Sequence, residues 1–192
     1  MATTSTGRSW QRGRVVASAT ALALVLGLGA CGGGGGGGEK LTGAKLTAAI
    51  NTGLQQISQG DLDGAKETFE KVVDSDGSNK FGHYNLGYIA QTQNDNGEAE
   101  KQYREAIKSD PKFTSALYNL AIIVTPNDAE EAISLYRQAI KSNKNDANSH
   151  YNLGLLLRQQ GKTAEGNQQI RTAVQLKPDL ADDAAAQGVP SK

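Results

Sequence analysis

The chain has 192 residues, 38% of them hydrophobic, enough for one domain or a short array of repeats. Its 20 basic and 20 acidic residues cancel, which excludes a strong overall field for nucleic acid or a charged membrane surface. One cysteine excludes an intrachain disulfide, and the dominance of Leu and Ala over long Val or Ile runs favours helices.

Arg8, Arg12 and Arg14 lie near the start, and no acidic residue precedes Glu39. Residues 15–30, VVASATALALVLGLGA, are uncharged and end in small residues. That run is shorter than the roughly 20 residues that span a bilayer, so the order basic, apolar, small predicts a signal peptide over residues 1–30. Cys31 follows Leu28-Gly29-Ala30, and the site resembles a bacterial lipobox. The resemblance implies a diacylglyceryl group on Cys31 and cleavage just before it. Two acyl chains, at about 0.8 kcal/mol per buried CH₂, hold a protein stably on a membrane. The expected location is therefore that of an exported bacterial lipoprotein, anchored to the cell membrane and facing away from the cytoplasm. Cleavage removes three arginines and no acid, leaving 17 basic and 20 acidic residues.

Gly32 to Gly38 are consecutive glycines. No strand precedes them and no Gly-Lys-Ser/Thr follows, so they are not a phosphate loop. Ordering such a run costs too much entropy for it to hold a fold. Residues 31–45 therefore form a lipidated cysteine and a tether, reaching on the order of 20 Å.

Beyond the tether the chain repeats. HYNLG occurs at 83–87 and again at 150–154, and LYNLA lies halfway between at 117–121. Ala99, Tyr103 and Ala106 correspond to Ala132, Tyr136 and Ala139, and to Gly166, Ile170 and Ala173. Gly53, Ala65, Phe69 and Val72 hold the same offsets in a degenerate first copy. Four units result: 46–79, 80–113, 114–146 and 147–180, the third losing one residue near Thr125-Pro126. Turns are expected at 59–61, 94–96, 125–128 and 160–162. Gly87 and Ala99 are small where two helices cross closely, with Leu86 and Tyr103 filling the space beside them. Gly166 in the fourth unit costs up to about 1 kcal/mol of helix propensity. After Leu180 the twelve residues 181–192 supply a short cap or a disordered tail, leaving the last unit's inner face partly exposed.

A period of 34 residues with this small–large pattern resembles the tetratricopeptide repeat. The resemblance implies an all-α fold, a right-handed superhelical solenoid of four helix-turn-helix units. The irregular first unit, with Thr52 for Leu and Gly77 for Pro, suits a capping repeat. His83 and His150 share one position in their units, so their match reflects repetition; one full unit between them puts them about 20 Å apart, too far to share a metal.

No catalytic motif stands out. Asp61, Asp63, Gly64 and Glu70 partly match a calcium loop, but the first ligand would be Gln59, and Phe69 belongs to the helix core. Neither a cofactor motif nor an enzyme is expected. In the resembled family the first helices line a concave groove. The groove rows read Asn51, Asn85, Asn119 and Asn152, beside Tyr84, Tyr118 and Tyr151, with Tyr88 further along. An amide both donates and accepts, so such a row suits either the backbone of an extended peptide or pairing between neighbouring units. A carboxylate clamp is not expected, because Ile50, Leu54, Asn85, Ser115 and Asn119 stand where basic residues would be needed. The expected function is a membrane-tethered module that binds a peptide or protein partner in its groove and no nucleic acid. The alternatives are a structural lipoprotein self-associating through its repeat ends, and an accessory subunit of a cell-envelope enzyme.

Overall fold

A computed structural model of the protein describes residues 40–189. The signal segment, Cys31 and the glycine run lie outside the described residues.

Each repeat supplies two amphipathic segments, and each folds as a helix. The first helices are α1 (Gly43–Gln59), α3 (Lys80–Thr92), α5 (Thr114–Val124) and α7 (Ala147–Gln159); the second are α2 (Leu62–Ser75), α4 (Asn96–Ser109), α6 (Ala129–Ser142) and α8 (Thr163–Leu176). A 3-10 turn (Pro178–Leu180) and α9 (Ala181–Ala186) follow. Each first helix packs against its own second helix, and each second helix against the next first helix. No strand forms among the described residues, and the helix pairs wind as an all-α superhelix.

The core follows from spacing. Ala65/Phe69/Val72, Ala99/Tyr103/Ala106, Ala132/Tyr136/Ala139 and Gly166/Ile170/Ala173 recur at i, i+4, i+7, and every one is buried. That stripe faces the paired first helix. Helix starts are set locally: the Asp61, Asp95 and Asp128 side chains accept the backbone N–H of Gly64, Glu98 and Glu131. Asp61 thus serves as a helix cap. The turns inside three units pass through a left-handed residue, Gly60, Asn94 or Gly161, at φ 80°, 62° and 81°. The third unit is one residue shorter and has no such residue; there Thr125 Oγ1 donates to Ala121 O at 2.6 Å.

Both histidines are structural ties of identical form. His83 Nδ1 pairs with Gln102 Oε1 (2.7 Å) and Nε2 with Gly77 O (3.0 Å). His150 Nδ1 pairs with Gln169 Oε1 (2.6 Å) and Nε2 with Lys144 O (3.2 Å). Each ring joins its helix to the second helix of the same unit and to the preceding turn.

Two sequence expectations change. The end of the fourth unit is covered, because Leu180, Ala184 and Val189 are buried and close over Ile170, Tyr151 and Leu155. Gly166 is also more than a propensity cost. A Cβ there would lie 2.6 Å from Gly154 O, and one on Gly154 would lie 2.7 Å from Gly166 O. In this unit the two backbones approach until neither position has room for a methyl group.

Gly166→Ala is therefore expected to lower the thermal midpoint despite its better helix propensity. Gly97→Ala, whose Cβ would meet nothing closer than 3.7 Å, should instead stabilise by up to about 1 kcal/mol. Leu at Gly87 or Ala99 should cost about 1–3 kcal/mol by overpacking the crossing. Thermal melts followed by circular dichroism check all four, and equal midpoints for Gly166→Ala and Gly97→Ala would contradict the close approach.

Candidate functional site

Charge divides the helices into two classes. The second helices α2, α4 and α6 each mix acids and bases, and α8 adds Glu165 and Arg171. The first helices contain no acidic residue, and their cations are Lys45, Lys80 and Arg158. Apart from those three cations, the first helices are built from neutral polar, aromatic and aliphatic residues and the two histidines His83 and His150.

The asparagine row does not behave as one ladder. Asn119 Nδ2 donates to the hydroxyl oxygens of Tyr84 (3.4 Å) and Tyr103 (3.2 Å) in the preceding unit. Asn152 Nδ2 repeats this with Tyr118 (3.3 Å) and Tyr136 (3.4 Å). Tyr103 in turn donates to Gln91 Oε1 at 2.7 Å. The first junction lacks both hydroxyls, because Ile50 and Phe69 stand where later units have Tyr. Asn85 is accordingly buried, 6% exposed, and donates to Phe81 O of its own helix at 2.7 Å. Asn51 is exposed on α1.

The tyrosines are half-buried at positions 84, 88, 118 and 151. Tyr84 lies 5.8 Å from Tyr103 and 5.1 Å from Phe113, and Tyr118 lies 6.1 Å from Tyr136, ring centre to ring centre. Burial raises the phenol pKa of Tyr84, Tyr103, Tyr118 and Tyr136, which keeps these hydroxyls protonated and available as paired donors and acceptors. Tyr151 packs with Ile170, Ala184 and Val189 at the covered end.

Sequence reasoning passed over one cluster. Phe81 is 46% exposed and meets Phe113 edge-on at 5.7 Å. Lys80 Nζ sits 5.1 Å and 5.3 Å from those two ring centres and pairs with Asp110 at 2.6 Å. The Lys80 ammonium holds the Asp110 carboxyl below the usual carboxylate range. The signal was available: Phe81 occupies the second position of its unit, a groove position of the repeat pattern. Together Phe81, Phe113, Tyr84, Tyr88 and Tyr118 concentrate aromatic surface on α3 and α5, in the middle of the array.

Comparison with known proteins bears on what this architecture is. Tetratricopeptide repeat models match residues 48–77, 82–113 and 147–180, and a TPR repeat model matches residues 127–161. No curated protein sequence matches the chain. Among solved structures it is similar to MamA, with 19% identity over 71% of this chain and 81% of that one, TM-score 0.63. It is similar to PilF of Pseudomonas aeruginosa, with 25% identity over 69% and 61%, TM-score 0.62. It is also similar to YrrB, described as a TPR protein with an unusual peptide-binding site, with 19% identity over 74% of each chain, TM-score 0.62. Together these repeat models cover more than half of the sequence, and the chain belongs to the tetratricopeptide repeat family.

Proposed function

We propose that the protein is a membrane-tethered scaffold whose first helices bind an extended segment of a protein partner, centred on α3 and α5. One observation carries the reading: the first helices contain no acidic residue and hold exposed Phe81 beside half-buried Tyr84, Tyr88 and Tyr118, with the nearby Asp110 paired to Lys80. Aromatic side chains supply large contact area at low entropic cost, as binding hot spots do. Asn119 and Asn152 have a second role here. Their Nδ2 groups hold the tyrosines in place, and their carbonyl oxygens remain to accept a backbone N–H. The peptide-binding site of the similar YrrB supports the same class of partner.

Self-association through the repeat ends is the weaker reading. Leu180, Ala184 and Val189 close the last end, and Asn51, Thr52 and Gln55 on α1 present an exposed polar surface at the first. Repeats of this family are generally interaction modules without catalysis, and the reading assigns none here. The tether is proposed from Cys31, the LGA sequence before it and the glycine run behind it.

Crosslinking and pull-down from the native membrane should identify the partner. Phe81→Ala and Tyr118→Ala should each weaken its capture at least about tenfold, with Phe81→Ala leaving the thermal midpoint near wild type. Asn119→Ala should destabilise as well as weaken binding, losing about 0.5–1.5 kcal/mol per hydrogen bond, while Asn51→Ala should leave stability unchanged. Full-affinity capture by folded Phe81→Ala and Tyr118→Ala variants would remove the face from consideration. For the tether, intact mass spectrometry should find a mature chain beginning at an acylated Cys31, and Cys31→Ser should accumulate as precursor. A mature chain beginning elsewhere would refute the lipid anchor.

A further inference from the structure

The opposite side of the array, built by the second helices, is closed at two junctions and open at one. Between α4 and α6, Arg104 grips Glu131 with two bonds, Nη1 to Oε1 at 2.8 Å and Nη2 to Oε2 at 3.1 Å. Between α6 and α8, Arg137 reaches Glu165 at 2.9 Å, and Gln160, just after α7, reaches Glu130 at 2.7 Å. Arg104 and Arg137 occupy one repeat position, and Glu131 and Glu165 another. At the first junction those positions hold Glu70 and Glu98, two acids. No ion pair can form between them, and no hydrogen bond or ion pair joins α2 to α4 among the described residues.

What remains is a crevice of about 240 Å³ between α2, α3 and α4. Its floor is apolar: Leu86, Ile89, Ala90 and Val73. Glu70 and Asp74 stand one helical turn apart on one wall, and Asp95 and Glu98 on the other. Lys66 is the only basic side chain on its lining. Asp95 caps α4 through the Glu98 N–H and Glu98 is partly engaged by Lys101 and Gln102, whereas Glu70 and Asp74 make no hydrogen bond or ion pair among the described residues.

The geometry points to a second binding site, in which this crevice takes a lysine- or arginine-bearing segment of a partner protein. The partner's cation stands among the carboxylates, where the arginine of the other junctions would lie. An aliphatic side chain next to it covers Val73 and the edge of Leu86. Charge complementarity selects this occupant, since four carboxylates around an apolar floor repel an acidic segment and bind a purely apolar one without discrimination. The site is separate from the aromatic face of α3 and α5, so the two readings fail independently.

The test uses the full chain in a ¹H–¹⁵N chemical-shift titration with amidated peptides of alternating leucine and lysine, and of alternating leucine and glutamate. The lysine peptide should shift the amides of Val73, Leu86 and Ala90 saturably, weaken with added salt, and be matched by no shift from the glutamate peptide. Glu70→Arg should supply the missing ion pair to Glu98, weaken the peptide at least tenfold and hold or raise the thermal midpoint. Glu70→Gln, which keeps size and removes charge, should weaken it several-fold, and Phe81→Ala should leave it unchanged. Binding that survives Glu70→Arg, or shifts centred on Tyr84 and Tyr118 instead, would overturn the proposal. So would crevice shifts that depend on protein concentration without peptide, which would make the occupant a second copy. Shifts that appear on deleting residues 1–39 would make it the chain's own N-terminal segment and would likewise overturn it.

Discussion

Everything in this array depends on how closely two helices of one unit cross. The crossing is made by a small residue on the first helix and another on the second, with one large side chain of the second helix lying over the first. In the second unit these are Gly87, Ala99 and Tyr103. A Cβ on Gly87 would lie 2.8 Å from the Tyr103 ring, so the ring occupies the space that any larger residue would need. Protein interiors are packed too densely to absorb such a change. The fourth unit goes further by placing glycine on both helices, Gly154 and Gly166. The crossing sets the distance between helices, and that distance decides which side chains of the next unit come within bonding range.

Neighbouring units are then joined by two different chemistries on two sides. On the side of the first helices, an asparagine amide bonds two tyrosine hydroxyls of the previous unit. On the side of the second helices, an arginine bonds a glutamate. The first is half-buried and neutral, so burial strengthens it and salt affects it little. The second is exposed and modest in energy. Both are missing at the first junction, for one reason: the first unit departs from the pattern in adjacent positions. Phe69 lacks the hydroxyl of Tyr103, and Glu70 lacks the charge of Arg104. Asn85 turns back to its own helix as a result, and the crevice beneath Glu70 stays open.

This separation gives the interaction module two surfaces of opposite character. The first helices are rich in aromatic residues and contain no acid of their own. The crevice on the other side is small, acidic at its rim and apolar at its floor.

The repeat pattern alone determined the helix pairs, the turns and the buried rows, because each depends on contacts within one or two adjacent helices. Ala65, Phe69 and Val72 were legible as a stripe, and the matching positions of His83 and His150 as repetition. The candidate face was legible as rows of Asn and Tyr, since repeat position fixes which way a residue points. What those residues bond to was not legible. Asn85, Asn119 and Asn152 share a position and a residue type, yet only the last two reach tyrosine hydroxyls, because that outcome depends on side chains in the preceding unit. The Phe81–Phe113 cluster joins the second and the last residue of one unit, 32 positions apart, and the Gly154–Gly166 approach requires knowing how near two backbones come. The end of the fourth unit looked exposed because ADDAAAQGVPSK is poor in large apolar residues. Leu180, Ala184 and Val189 suffice to cover it, since the surface they close is small. Residue type and period determined the elements; only the tertiary structure decided the partners, because a hydrogen bond or a cavity forms between units that sequence offset aligns but does not bring into register.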